Sequence, residues 1–105
     1  MTISKSSDRS DVVESSIIHG LLTVGTTAVE VKVGGSRVET RQIVVIYNES
    51  KNRNMYWGGA GVTNSGSTRG IPILPEQTVS LPAGDLAIYI VGQEAAMTAI
   101  ISEIG

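Results

Sequence analysis

A chain of 105 residues without cysteine has room for one domain and one small core, and it can form no disulfide, thiol nucleophile or cysteine-based metal site. Its formal net charge of −2 gives no general attraction to nucleic acid or anionic lipid, so neither is expected as a partner. Charged residues make up 17% of the chain, against about 25% in an ordinary globular domain, so part of the surface is expected to lie against other protein.

Residues 1–16, MTISKSSDRSDVVESS, hold too few apolar side chains to recover the entropy of being ordered. They are expected to form a flexible N-terminal arm before a β-domain over 17–105. Within the arm, Ser10 could cap one helical turn through Val12 and Val13. The arm contains no secretory signal, and no apolar run approaches the ~20 residues of a spanning helix. The product is therefore expected to be soluble and made in the cytoplasm. On that reading the sequon Asn48-Glu49-Ser50 is fortuitous, because glycosylation requires secretion.

From Ile17 onward, short apolar runs are punctuated by Gly, Asn, Pro or Ser about every ten residues, the pattern of an all-β sandwich or barrel. IIHGLLTV reads as the first strand. In AVEVKV, Val29, Val31 and Val33 occupy one face and Glu30 and Lys32 the other, as in a strand with one wet side. Gly34-Gly35-Ser36 supplies the next turn, since glycine takes a positive φ at little steric cost. The run Ile43–Tyr47 is continuously apolar and is expected to be a central strand covered on both faces.

NESKNRN is a loop, and MYWGG and GVT are short strands broken by glycines. IPIL contains Pro72 and suits a sheet edge. TVSLP follows, then a turn at Pro82-Ala83-Gly84-Asp85, then LAIYIVG with Leu86, Ile88 and Ile90 on one face. The last segment is ambiguous: Ala96, Ile100 and Ile104 have helical spacing, yet Thr98, Ile100, Ser102 and Ile104 form one face of a strand. We expect the strand, which gives a neighbouring edge its pairing partner.

No constellation of reactive groups stands out. The glycines from Gly58 to Gly70 lack the lysine of a phosphate-binding loop and precede no amphipathic helix, so they are expected to make a turn. His19 is the single histidine and lies in an apolar run without a nucleophile motif. The acids, among them Glu30, Glu103 and Asp85, are scattered and look like solvating groups. We therefore expect no catalytic residue, no metal and no cofactor. Tyr56 and Trp57 are adjacent, so on a strand they face opposite sides and cannot both enter one core. The one turned outward is expected either to be covered by a loop, to anchor a protein interface, or to stack on a sugar. With Val12 and Val13 of the arm, Tyr56 and Trp57 are the interface candidates.

Four stretches, LLTVGTTAVEVKV, SRVETRQIVVIYNES, NMYWGGAGVTNSGSTRGIPILPEQTVSLP and LAIYIVG, together resemble a widespread group of small virion proteins of tailed bacteriophages. The matching elements are Arg41 through Asn48, Tyr56-Trp57-Gly58, Gly61-Val62-Thr63 and Pro75-Glu76. The family often has a glycine between that proline and acid, so the turn is expected to differ here. The resemblance implies a compact β-sandwich or barrel in the virion, most directly a capsid decoration (cement) protein bound to the major capsid protein. A tail, baseplate or fibre component is the alternative, and a carbohydrate-binding module using Tyr56 or Trp57 is a third reading. Open sheet edges that neighbours can cover lead us to expect a homotrimer.

Overall fold

The computed structural model describes residues 17–38 and 40–105, so the arm with Val12 and Val13 lies outside the described residues. The chain is all-β, and two antiparallel four-stranded sheets pack face to face. The strands are β1 (Ile17–Val24), β2 (Val29–Glu30), β3 (Ile43–Asn48), β4 (Met55–Gly58), β5 (Ile71–Ile73), β6 (Thr78–Leu81), β7 (Tyr89–Gly92) and β8 (Met97–Ile104). The first sheet runs β1-β8-β3-β6 and the second β2-β7-β4-β5.

Alternation explains how the sheets meet. In β8, Met97, Ala99, Ile101 and Glu103 are buried while Thr98, Ile100, Ser102 and Ile104 are half-buried, the period-two pattern of a strand with one face in the core. The ambiguous C-terminal segment is thus a strand, and a central one, pairing β1 on one side and β3 on the other. Val24, Val44, Ile46, Ala99 and Ile101 of the first sheet pack on Met55, Ile73 and Ile90 from the second and on Ile88 just before β7. With branched aliphatics and no Phe, the core is filled by many small interlocking side chains.

β3 is central, between β8 and β6, but its burial alternates, so only one face is closed over. β5 is an edge strand, where the missing N–H of Pro72 does no harm. Val31 and Val33 enter the core as expected, yet the β2 ladder ends at Glu30. Beyond it, the Val31 amide donates to the Ile88 carbonyl at 2.8 Å, and the Val33 amide donates to Glu103 Oε1 at 3.0 Å. A side chain there replaces a strand partner. Two further expectations are corrected. Gly61-Val62-Thr63 makes no strand, only one isolated bridge from Thr63 to Arg69, because Val62 turns in to cap a satellite cluster. Leu86 is 64% exposed rather than core-facing, because the turn closed by its amide on the Ala83 carbonyl carries it past the end of β7.

Candidate functional site

Tyr56 and Trp57 take opposite faces of β4, as strand geometry requires. Trp57 packs, half-buried, against the core between the sheets. Tyr56 points away from that core, but Val62, Val91, Ala28 and Tyr89 close over it and leave it 7% exposed. The aromatic on the outer face is therefore covered by the chain's own loop, and Tyr56 offers little surface to a partner.

The loop that covers it, from Gly59 to Gly70, is held by its own backbone. Val62 N–H donates to Gly59 O at 3.0 Å, Thr63 N–H to Thr68 O at 3.1 Å and Gly70 N–H to Thr63 O at 3.1 Å, around a 3-10 turn over Gly66–Thr68. Asn64 Nδ2 ties the loop to Gly92 O at 2.9 Å. These amides are spent inside the loop, which favours the turn over an anion cradle. Gly70 is where the loop comes closest to β4: a Cβ there would strike the Trp57 carbonyl and lie 2.5 Å from Val62 Cγ2. Beside this contact lies an open depression of about 440 Å³ whose lining includes Trp57, Ser67, Thr68, Arg69 and the 56% exposed Ile71.

A second, polar depression of about 320 Å³ is lined by Glu30, Lys32, Arg37 and Asp85. Its charges largely serve one another, since Glu30 lies 2.9 Å from Arg37 Nε and 3.5 Å from Lys32 Nζ.

The most elaborate polar arrangement is internal, and reading the acids as solvating groups missed it. Glu103 is wholly buried on the core face of β8, where Oε2 accepts from Arg41 Nη1 at 2.8 Å. Arg41 also donates to the carbonyls of Val31 at 3.0 Å, Gly84 at 2.9 Å and Leu86 at 2.7 Å. One buried guanidinium thus joins the segment after β2, the turn before β7 and the last strand. Asn48 is also fully buried: Nδ2 donates to Arg53 O and Ile73 O, both at 2.9 Å, and Oδ1 accepts from Ser50 N–H at 2.9 Å. An amide held this way is closed to modification in the folded chain. Arg41 and Asn48 lie at either end of the apolar run Ile43–Tyr47, and no local pattern announces that they are buried. Both act on the fold.

Among the described residues, no group of three or more His, Asp or Glu is placed to hold a metal ion, and no helix is long and apolar enough to cross a membrane. His19 is exposed on β1.

What remains is a surface. The outward residues of the first sheet form rows across its strands: Ile17–Ile104–Ile43, His19–Ser102–Val45–Ser80, Leu21–Ile100–Tyr47–Thr78 and Thr23–Thr98. No Asp, Glu, Lys or Arg occurs among them. Ile17 is 65% exposed and Leu21 73%.

No protein-family model and no curated protein matches the chain. Among solved structures it is similar to a chain from Bacillus endospore appendages, described as forming a novel family of disulfide-linked pili. The identity is 14% and the TM-score 0.49, over 99% of this chain and 96% of that one.

Proposed function

We propose that this chain is a structural virion protein of a tailed bacteriophage, a capsid decoration (cement) protein that binds the outer shell through the exposed face of its first sheet and stabilises it. The observation that carries this reading is that uncharged face. An antiparallel sheet with one side in water normally alternates apolar with polar residues. Here the outward rows hold Ile, Val, Leu, Tyr, Thr and Ser, with His19 on the edge strand and no Asp, Glu, Lys or Arg to keep another protein away, and contiguous surfaces of that kind mark protein contacts. The resemblance of Arg41–Asn48, Tyr56-Trp57-Gly58 and Pro75-Glu76 to small virion proteins supplies the class of partner, the major capsid protein. The chain's place is then the virion.

The test is quantitative mass spectrometry of purified particles from the phage that encodes the chain. A decoration protein is present in tens to hundreds of copies per particle, on the order set by shell symmetry. A copy number of about a dozen or fewer transfers the reading to a tail, baseplate or fibre component, and absence from particles rejects both.

A second reading rests on the depression beside Trp57, where a half-buried indole is flanked by Ser67, Thr68 and Arg69, groups able to stack on and hydrogen-bond to a sugar. Titration of host-surface glycans followed by Trp57 fluorescence tests it; a saturable change supports a carbohydrate-binding module, and a flat response removes it.

A further inference from the structure

We infer that β1 pairs edge to edge with β1 of a second copy, joining two first sheets into one continuous eight-stranded sheet about a two-fold axis. The two sheets have four edge strands, and they are treated unequally. β2 is two residues long, β5 is three residues and contains Pro72, and β6 is four residues. Short strands and proline are the usual protections of a sheet edge. β1 has neither: it is eight residues long, IIHGLLTV, with no proline, and among the described residues only β8 pairs with it.

Its side chains match. Six large hydrophobic residues are exposed among the described residues, and three of them, Ile17, Ile18 and Leu21, lie on this one strand. A long, uncharged, hydrophobic edge presents a row of unpaired backbone N–H and C=O groups, which is a template for another strand.

Charge decides which strand. Across a two-fold axis each residue near the axis meets its own copy or a close neighbour, so any formal charge there would face its like, at a cost. Between Ile17 and Val24 there is no Asp, Glu, Lys or Arg, and the adjoining outward residues of β8 carry none either. A second copy is therefore free of the repulsion that ordinarily prevents self-pairing. It also offers an edge of equal length. β6, the other free edge of the same sheet, could satisfy only half of β1, which disfavours the head-to-tail contact that a homotrimer needs. The contact is small by the standard of stable complexes, so a dissociation constant on the order of micromolar is expected. This pairing does not depend on the virion reading.

The experiment is sedimentation velocity on the full chain across micromolar to millimolar concentration, with amide hydrogen exchange on the same samples. The wild-type chain should show a reversible monomer–dimer equilibrium. As dimer forms, those amides of Ile17–Val24 that point away from β8 should become protected. Leu21→Lys and Ile17→Lys, at sites already exposed, should each weaken dimerisation at least about tenfold without changing the circular dichroism spectrum. Leu86→Lys, an equally exposed site off the strand, should leave it unchanged. A monomer at all concentrations, a closed trimer, a dimer whose outward β1 amides stay fast, or equal weakening by Leu86→Lys would each overturn the inference. So would protection of those amides in the monomer, because residues of the same chain would then occupy the edge.

Discussion

Arg41 and Glu103 lie 62 positions apart in the chain and meet at 2.8 Å with both side chains fully shielded from water. A buried ion pair must offset the desolvation of two charges, and it does so only when the remaining hydrogen-bonding groups are also satisfied. Here Arg41 reaches three backbone carbonyls besides the carboxylate, and the second oxygen of Glu103 accepts the Val33 amide. Arg41→Met leaves a buried carboxylate and three carbonyls without their donor, and should cost about 3–5 kcal/mol. Glu103→Gln leaves the buried guanidinium without its counter-charge and turns an amide NH2 toward Arg41 Nη1 or the Val33 N–H, and should also cost about 3–5 kcal/mol. Arg41→Met combined with Glu103→Leu should fall well short of the sum of its single changes, since both act on one network. Urea unfolding of the wild type, Arg41→Met, Glu103→Leu and the double variant closes the cycle, with Glu103→Gln beside them; additive losses would mean that the two residues act separately.

Asn48 should be as intolerant of a charge as it is of truncation. Asn48→Asp replaces the donor to Arg53 O and Ile73 O with an oxygen facing both carbonyls, and should cost roughly 2–4 kcal/mol. Thermal melting at neutral pH, compared with that of the surface change Asn52→Asp, reads the difference. Equal melting temperatures would contradict the role assigned to the buried amide.

Among the described residues, two other than glycine have positive φ, Glu76 at 60° and Ala96 at 62°. Glu76 is the third residue of a turn in which Gln77 N–H donates to Leu74 O at 3.1 Å, with Pro75 second, an order that favours glycine at the third place. At Ala96 the left-handed backbone costs about 1–2 kcal/mol, and glycine relieves that while adding about 0.5–1 kcal/mol of unfolded-chain entropy. Ala96→Gly should therefore raise the melting temperature by a few degrees. A lower melting temperature would refute the strain.

Gly70 has no room for a methyl group. Gly70→Ala drives a Cβ into the Trp57 carbonyl and Val62, and should cost about 1–3 kcal/mol. The disturbance should also reach the aromatic pair, so Trp57 fluorescence should shift in the folded variant. Gly59→Ala, where a Cβ would meet nothing, should leave both stability and emission unchanged.

The fold was legible where side chains alternate and turns carry glycine or proline. β1, the faces of Val31 and Val33 and the edge position of β5 all follow from period and punctuation, whereas the covering of Tyr56 was one of three outcomes that the pattern left open. The C-terminal strand was harder because Glu103 interrupts the apolar run Met97, Ala99, Ile101 on its buried face. An acid at that place reads as a wet residue until its partner 62 positions away is known. The same long-range pairing hid the end of the β2 ladder, since no local pattern announces that a carboxylate will accept a strand amide. The uncharged outer face was visible only as a shortage of charge in the composition. Its location required the register that aligns Ile17 with Ile104 and Ile43.

The most direct trial of the proposed virion role is a reconstruction, at side-chain resolution, of the particle the chain is proposed to decorate. The account predicts many copies on the outer shell, each with Ile100, Tyr47 and Val45 of the first sheet seated against the major capsid protein. A particle lacking the chain, or copies bound with that face open to solvent, would contradict it.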